Sequence, residues 1–200
     1  MSGIQIITRE SFFGIVWFVL WIVFCQIVDF SLGILLGVVL LLAWLWAFRN
    51  PERTSLDRGD DIVLAPIDGT ISNIEQCEDA VRLSIDVSFF DVGLVRSPQE
   101  AQSITLQKRS GLVAYFSPLH KELNEAMHAN IQGKMSCKIS LYPKVFKNTR
   151  FYAPIAYRLG ERMGFIKLGT LVLELPKSVE IRAHIGDKLR GGVNVLGYMK

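Results

Sequence analysis

Residues 164–176 read GFIKLGTLVLELP, a largely apolar run with a Gly169-Thr170 pair near its middle. Short apolar runs rich in Val, Ile, Leu and Phe suit a buried or half-buried strand. Glycine weakens a strand interior, and its presence there marks a bulge or a close backbone approach. The stretch therefore predicts one strand with an irregularity, a bulge in the plainest reading, at Gly169. Its surroundings repeat the pattern. IVLAPIDGTISNIE (62–75) reads as strand, Pro-Ile-Asp-Gly turn, strand. AVRLSIDV (80–87) alternates as a strand, and VEIRAHIGDKLRGGVNVLG (179–197) is a strand, a Gly-Asp turn and a short final strand. The main helix is expected in PLHKELNEAMHANI (118–131), where Leu119, Leu123 and Met127 recur every fourth residue. The expected architecture over residues 50–200 is mainly β, barrel- or sandwich-like, with few helices.

Residues 1–49 have a different character. Phe12–Val28 and Leu32–Phe48 carry no charge and are separated only by Asp29-Phe30-Ser31. Each lies near the lower limit of the ~17–25 residues that span a bilayer core. Two apolar helices, about 12–28 and 32–48, make an antiparallel membrane hairpin if both cross. A re-entrant, one-leaflet hairpin is the alternative, since both runs are short and Gln26 and Asp29 lie near the bend. Arg9 precedes the hairpin, and Arg49, Arg53 and Arg58 follow it. Positive charge at both outer ends assigns the main domain to the cytoplasmic side, with Trp44 and Trp46 as interfacial anchors. A cleaved signal peptide does not fit, because there are two apolar runs and no small-residue cleavage site follows the first.

Composition narrows the function classes. Half of the 200 residues are hydrophobic, and the mean hydropathy of +0.30 is high for a fully soluble chain. That excess sits largely in residues 12–48. A net charge of +3 gives no case for a nucleic-acid partner. Cys25, Cys77 and Cys137 are odd in number and show no C-x-x-C spacing, which argues against a disulfide framework and fits a reducing compartment. His120, His128 and His184 lack metal-ligand spacing, so no metal is expected. His120 and His128 read as flanking residues of the helix.

Taken singly, Asp68-Gly69 is a common turn pair, and Asp91, Arg96, Asn124, Glu125 and Arg158 are of types usually found at the surface. Taken in order, the segments resemble the short, membrane-anchored form of the phosphatidylserine decarboxylase family from the hairpin to the C-terminus. Arg49-Asn50-Pro51-Glu52-Arg53 is similar to that family's exit from the membrane, and Ala65-Pro66-Ile67-Asp68-Gly69 to its Pro-x-Asp-Gly motif. FFDVGLVRSP (89–98) resembles its Asp-Val-His-x-Asn-Arg-Ser-Pro stretch, Asn124-Glu125 its Asn-Glu-Arg, and Ala156-Tyr157-Arg158 its Ala-Arg-Arg. GERMGFIKLGTLVLELP (160–176) resembles its Gly-Glu-Arg-Phe-Gly segment and the Gly-Ser pair that follows.

The resemblance implies self-cleavage at Gly169-Thr170, assisted by Asp68 as the family's catalytic aspartate. A pyruvoyl-type ketone is then made from the residue after the cut, and no metal is involved. It also implies phosphatidylserine, or a similar serine-headed membrane phospholipid, as substrate. Arg96 is then expected to hold the lipid phosphate, with Asn124, Glu125 and Arg158 completing the substrate-binding set. Gly169 is expected to let the backbone bend for hydroxyl attack. A homo-oligomer is compatible with all of this.

Two positions depart from the family pattern. Thr170 stands where the family has serine, so the group formed would be 2-oxobutanoyl, one methyl bulkier, from a side chain with restricted rotamers. Gly93 stands where the family has histidine. These departures carry a second reading, an uncleaved homologue that binds phospholipid or regulates a decarboxylase. The Ile-Asp-Gly and Ile-Gly-Asp halves also resemble a biotinyl/lipoyl-like barrel. No lysine occupies a Met-Lys carrier turn, however, so that likeness reports architecture alone.

Overall fold

The charge-free sequence from Phe12 has no proline before Asp29, and it winds into helix α1 (Phe12–Ile27), entered through a 3-10 turn at Arg9–Ser11. Asp29 takes a left-handed φ of 51°, a conformation that Asp adopts more readily than most residues, and α2 (Ser31–Ala47) follows. This computed structural model describes residues 7–53, 59, 61–112, 119–145, 149–152 and 156–199. The chain divides into two compact units, Met1–Glu52 and Arg53–Lys200.

Within the first unit, small residues let the two helices close on each other. Gly33 and Gly37 lie one turn apart on α2, facing Cys25 and Trp21 of α1, and Gly14 faces Trp44. A methyl group at Gly33 would stand 2.7 Å from the Cys25 Sγ. Small residues four apart are the usual means of such close helix contact in lipid. The Trp21 indole N–H donates to the Gly33 carbonyl at 3.2 Å. The stretch Arg9–Ile27, 19 residues with a mean hydropathy of 1.9, is long and apolar enough to cross a membrane, whereas Ser31–Ala47 is shorter.

The described residues of the second unit form thirteen strands. In chain order they are β1 (Ile62–Leu64), β2 (Gly69–Gln76), β3 (Ala80–Val87), β4 (Leu94–Arg96), β5 (Ala101–Arg109), β6 (Ala126–Gly133), β7 (Ser136–Pro143), β8 (Arg150–Phe151), β9 (Arg162–Phe165), β10 (Gly169–Pro176), β11 (Val179–Ile181), β12 (Lys188–Leu189) and β13 (Val195–Met199). A single-turn helix, α3 (His120–Leu123), precedes β6. Seven strands form one sheet in the order β12-β2-β3-β10-β7-β6-β5, and two three-stranded sheets, β1-β13-β11 and β4-β9-β8, complete the unit. All the pairings between these named strands are antiparallel. Leu83, Ile85, Ile139, Leu141, Leu171 and Leu173 from the long sheet meet Val63, Val95, Met163 and Leu196 from the short ones in a single core. Burial pushes the Cys137 thiol up to about 12, so it behaves as a core hydrophobe rather than a reactive thiol.

The mainly β expectation holds, and AVRLSIDV forms β3 with the expected bounds. Two local expectations fail. GFIKLGTLVLELP is not one strand. It divides into β9 and β10, which belong to different sheets, and Ile166–Leu168 carries the chain between them. No bulge marks Gly169, which is in regular register with Val87 on one side and Pro143 on the other. The helix expected over 118–131 ends at Leu123, and from Ala126 the chain is strand β6. Pairing with β5 and β7 on both sides overrides the fourfold Leu/Met spacing, a common outcome for a weak local preference.

Central strand β10 carries both the core and Thr170, so its packing sets the stability of the whole unit. Leu173 is fully buried. Leu173→Ala is expected to lower the unfolding free energy by about 2–5 kcal/mol, read as an earlier denaturant midpoint of the full chain in detergent.

Candidate functional site

The site begins where the chain passes from β9 to β10. The Ile166 N–H donates to the Gly93 carbonyl at 2.8 Å, and the Lys144 N–H donates to the Leu168 carbonyl at 2.9 Å. Between these two anchors Leu168 is held at φ 50°, a left-handed conformation that costs a non-glycine residue about 1–2 kcal/mol. Gly169 follows with no left-handed φ of its own. It is needed for close approach instead. A side chain there would meet the Tyr142 carbonyl at 2.6 Å and the Ile166 Cδ1 at 2.7 Å.

Strand alternation then sorts the side chains of β10. Leu171, Leu173 and Leu175 enter the core, while Thr170, Val172 and Glu174 take the opposite face. Thr170 lies in register with Asp86 of β3 and Tyr142 of β7. Its hydroxyl donates to the Asp86 Oδ1 at 2.6 Å, and the residue is only 1 % exposed. The Lys144 Nζ lies 3.6 Å from the same carboxylate oxygen. Two rows along this face, the His128 Nδ1 meets the Ser140 Oγ at 2.8 Å, and its imidazole packs edge-on against Tyr142. Burial, with Lys138 and Arg109 adding to it, pushes the His128 imidazole below its usual value. His128 is therefore a strand residue, not a flank of a helix. His184 is exposed beside Asp187, and the His120 side chain lies outside the described residues.

The other residues implied by the resemblance fall into separate places. Asp68 is buried, and its carboxylate is bound by the Arg53 guanidinium and by the Gly191 N–H at 2.8 Å. It does not touch the Thr170 hydroxyl. Arg96 is also buried. Its guanidinium donates to the Gly160 carbonyl at 3.0 Å, and its stem packs against Gly192. Asn124 donates from Nδ2 to the Pro143 carbonyl at 2.9 Å, and Pro143 is the register partner of Gly169. Asn124 thus braces the strand that presses on Gly169. Glu125 pairs with Lys108 at 3.1 Å. Arg158 is exposed on a turn closed by Glu161. Gly93 is locked, because any side chain there would overlap the Ile166 carbonyl. Among the described residues, no group of three His, Cys, Asp or Glu is arranged to hold a metal ion.

Three participants were missed in the sequence. Asp86 meets Thr170 through strand register, which no local pattern announces, and Lys144 reaches the Asp86 carboxylate from just beyond the end of β7. Lys167 is buried, and its Nζ donates to the Asp91 carbonyl at 2.6 Å beside the Phe89 ring. The outward positions of AVRLSIDV, namely Arg82, Ser84 and Asp86, were the only available hint, since alternation puts a carboxylate on the face opposite the core. A groove at the far end of β10, lined by Asp79, Asn130, Lys138 and Glu174, does not reach Thr170.

Comparison with known proteins gives a consistent result. Residues 40–197 match the family model described as phosphatidylserine decarboxylase. A phosphatidylserine decarboxylase proenzyme of Carboxydothermus hydrogenoformans is 27% identical over 206 residues, covering 96% of this chain and 96% of that protein. Proteins of the same name from Amoebophilus asiaticus (28% identical, 96% and 92% covered) and Chlorobium luteolum (32% identical, 76% of each covered) are also similar. No solved structure matches the chain.

The locked glycine at 93 makes a definite prediction. Gly93→His should not simply restore an imidazole. It should force the Ile166–Leu168 crossing to move and cost about 1–3 kcal/mol, seen as a lower melting temperature. An unchanged melting temperature would show that the crossing has room to spare.

Proposed function

The chain belongs to the phosphatidylserine decarboxylase family, and from that premise we propose that it is a self-processing phospholipid carboxy-lyase. It cuts its own Gly169–Thr170 bond and converts phosphatidylserine to phosphatidylethanolamine. The observation that carries this reading is the left-handed Leu168 directly before a Gly-Thr pair that is clamped on both sides. Backbone strain of this kind persists only where the surroundings enforce it, and it clusters at reactive sites.

Cleavage needs nothing beyond the chain and water. The Thr170 Oγ1 forms an ester with the Gly169 carbonyl carbon as the Gly169–Thr170 C–N bond breaks, and the hydroxyl proton ends on the freed amine. Loss of the Thr170 Cα proton, with breakage of the Cβ–Oγ bond, releases Gly169 as a C-terminal carboxylate. Residue 170 is left unsaturated, and its enamine tautomerises and takes up water, giving a 2-oxobutanoyl ketone and ammonia. The buried hydroxyl, already hydrogen-bonded to a carboxylate, fits this activation. The ketone supplies the electron sink for loss of carbon dioxide from a serine-headed lipid. Asn124, through Pro143, keeps the backbone at Gly169 in place, and the exposed Arg158 is the better placed of the two arginines to meet a lipid phosphate. Arg96 is committed to the Gly160 carbonyl. The apolar hairpin holds the domain at the membrane, on the cytoplasmic side by its flanking arginines.

One observation favours a second reading. Gly93 admits no side chain, so the family's histidine is absent by construction, and an uncleaved phospholipid-binding or regulatory homologue lacks the same group. Turnover separates the two. The full chain in mixed micelles with phosphatidylserine is expected to release carbon dioxide and form phosphatidylethanolamine. Thr170→Ala should abolish turnover and Thr170→Ser retain it. Binding to the lipid without turnover in the wild-type chain would favour the second reading.

A further inference from the structure

Gly93 supplies no imidazole, and the His128 imidazole on the same strand face is hydrogen-bonded to Ser140, yet the Thr170 hydroxyl cannot attack without shedding its proton. We infer that Asp86, steadied by Lys144, is the proton acceptor for the Thr170 hydroxyl, in the place the missing histidine would have served. The inference rests on the self-processing reading above and deepens it.

Three observations converge on Asp86. Its Oδ1 is 2.6 Å from the Thr170 Oγ1, within the reach a general base needs. The two residues are register partners on adjacent central strands, so strand pairing holds the contact and not a mobile loop. Lys144 then ties both sides of the reacting bond together. Its main-chain N–H holds the Leu168 carbonyl at 2.9 Å, and its Nζ stands 3.6 Å from the very oxygen that accepts from Thr170. The other acid proposed for the chemistry, Asp68, is bound to Arg53 and the Gly191 N–H.

The step balances on the chain's own groups. As the Thr170 Oγ1 bonds to the Gly169 carbonyl carbon, its proton passes to the Asp86 Oδ1. As the C–N bond breaks, the same proton passes from Asp86 to the departing Thr170 nitrogen, and the carboxylate is regenerated beside Lys144. A carboxylate that shuttles one proton in this way does the work for which an imidazole is more often used.

The test follows appearance of the short C-terminal fragment on gels, using full chains synthesised directly into phospholipid nanodiscs. Asp86→Asn keeps the size of the side chain and is expected to slow scission about 10²- to 10⁴-fold. Asp86→Glu should recover part of the rate. Glu174→Gln, on the same strand face but paired with Arg82, serves as the control and should cut at the wild-type rate. Melting curves of each variant report the folded fraction. Scission of Asp86→Asn at the wild-type rate overturns the assignment while leaving self-processing intact. So does a slowing that Asp86→Glu fails to relieve and that follows loss of the folded chain, which would make Asp86 a packing residue. An uncut wild-type chain removes both the assignment and the reading beneath it.

Discussion

The Tyr142 carbonyl comes so close to Gly169 that no side chain fits between them, and the arrangement of the site follows from that contact. With β7 pressed against the first residue of β10, the chain arriving from β9 has only Ile166–Leu168 in which to change sheets. It does so by placing Leu168 in a left-handed conformation. The cost, about 1–2 kcal/mol, is offset by the pairing of β10 with β3 and β7 along most of its length. A strand fixed on both sides is a rigid mount. It delivers Thr170 to Asp86 at hydrogen-bond distance and leaves the next residues, Leu171 and Leu173, in the core.

The same crowding accounts for Gly93. Its carbonyl accepts from Ile166 and its Cα lies against the Ile166 carbonyl, so the crossing that strains Leu168 also excludes a side chain at 93. Threonine and glycine at these two positions are therefore linked through one short segment. Asp68 is anchored within the second unit. By binding Arg53 and the Gly191 N–H, it joins the first residue of the second unit to the turn before β13.

Much of the fold was legible in the sequence because it obeys local periodicity. Charge-free runs gave the two helices to within a residue or two, and alternation in AVRLSIDV gave β3. The failures came where tertiary pairing outweighs local pattern. Leu119, Leu123 and Met127 are spaced like a helix, yet Met127 lies in a strand flanked on both sides. A largely apolar run from Phe165 to Leu175 hides a change of sheet, because a left-handed leucine has no compositional mark. The site divides in the same way. Gly169 and Thr170 were legible as neighbours in a motif. Asp86 lies 84 residues from Thr170 along the chain, and its role depends on register across two strands, which a single sequence does not encode in any short window.

The most direct measurement is the intact mass of the purified chain. A peptide bond poised for self-cleavage predicts two species. The first is a fragment ending at Gly169, and the second is a partner beginning at residue 170 and lighter by one ammonia than its sequence requires. A single species at 22.5 kDa would contradict the account and leave the strained Leu168 without a chemical purpose.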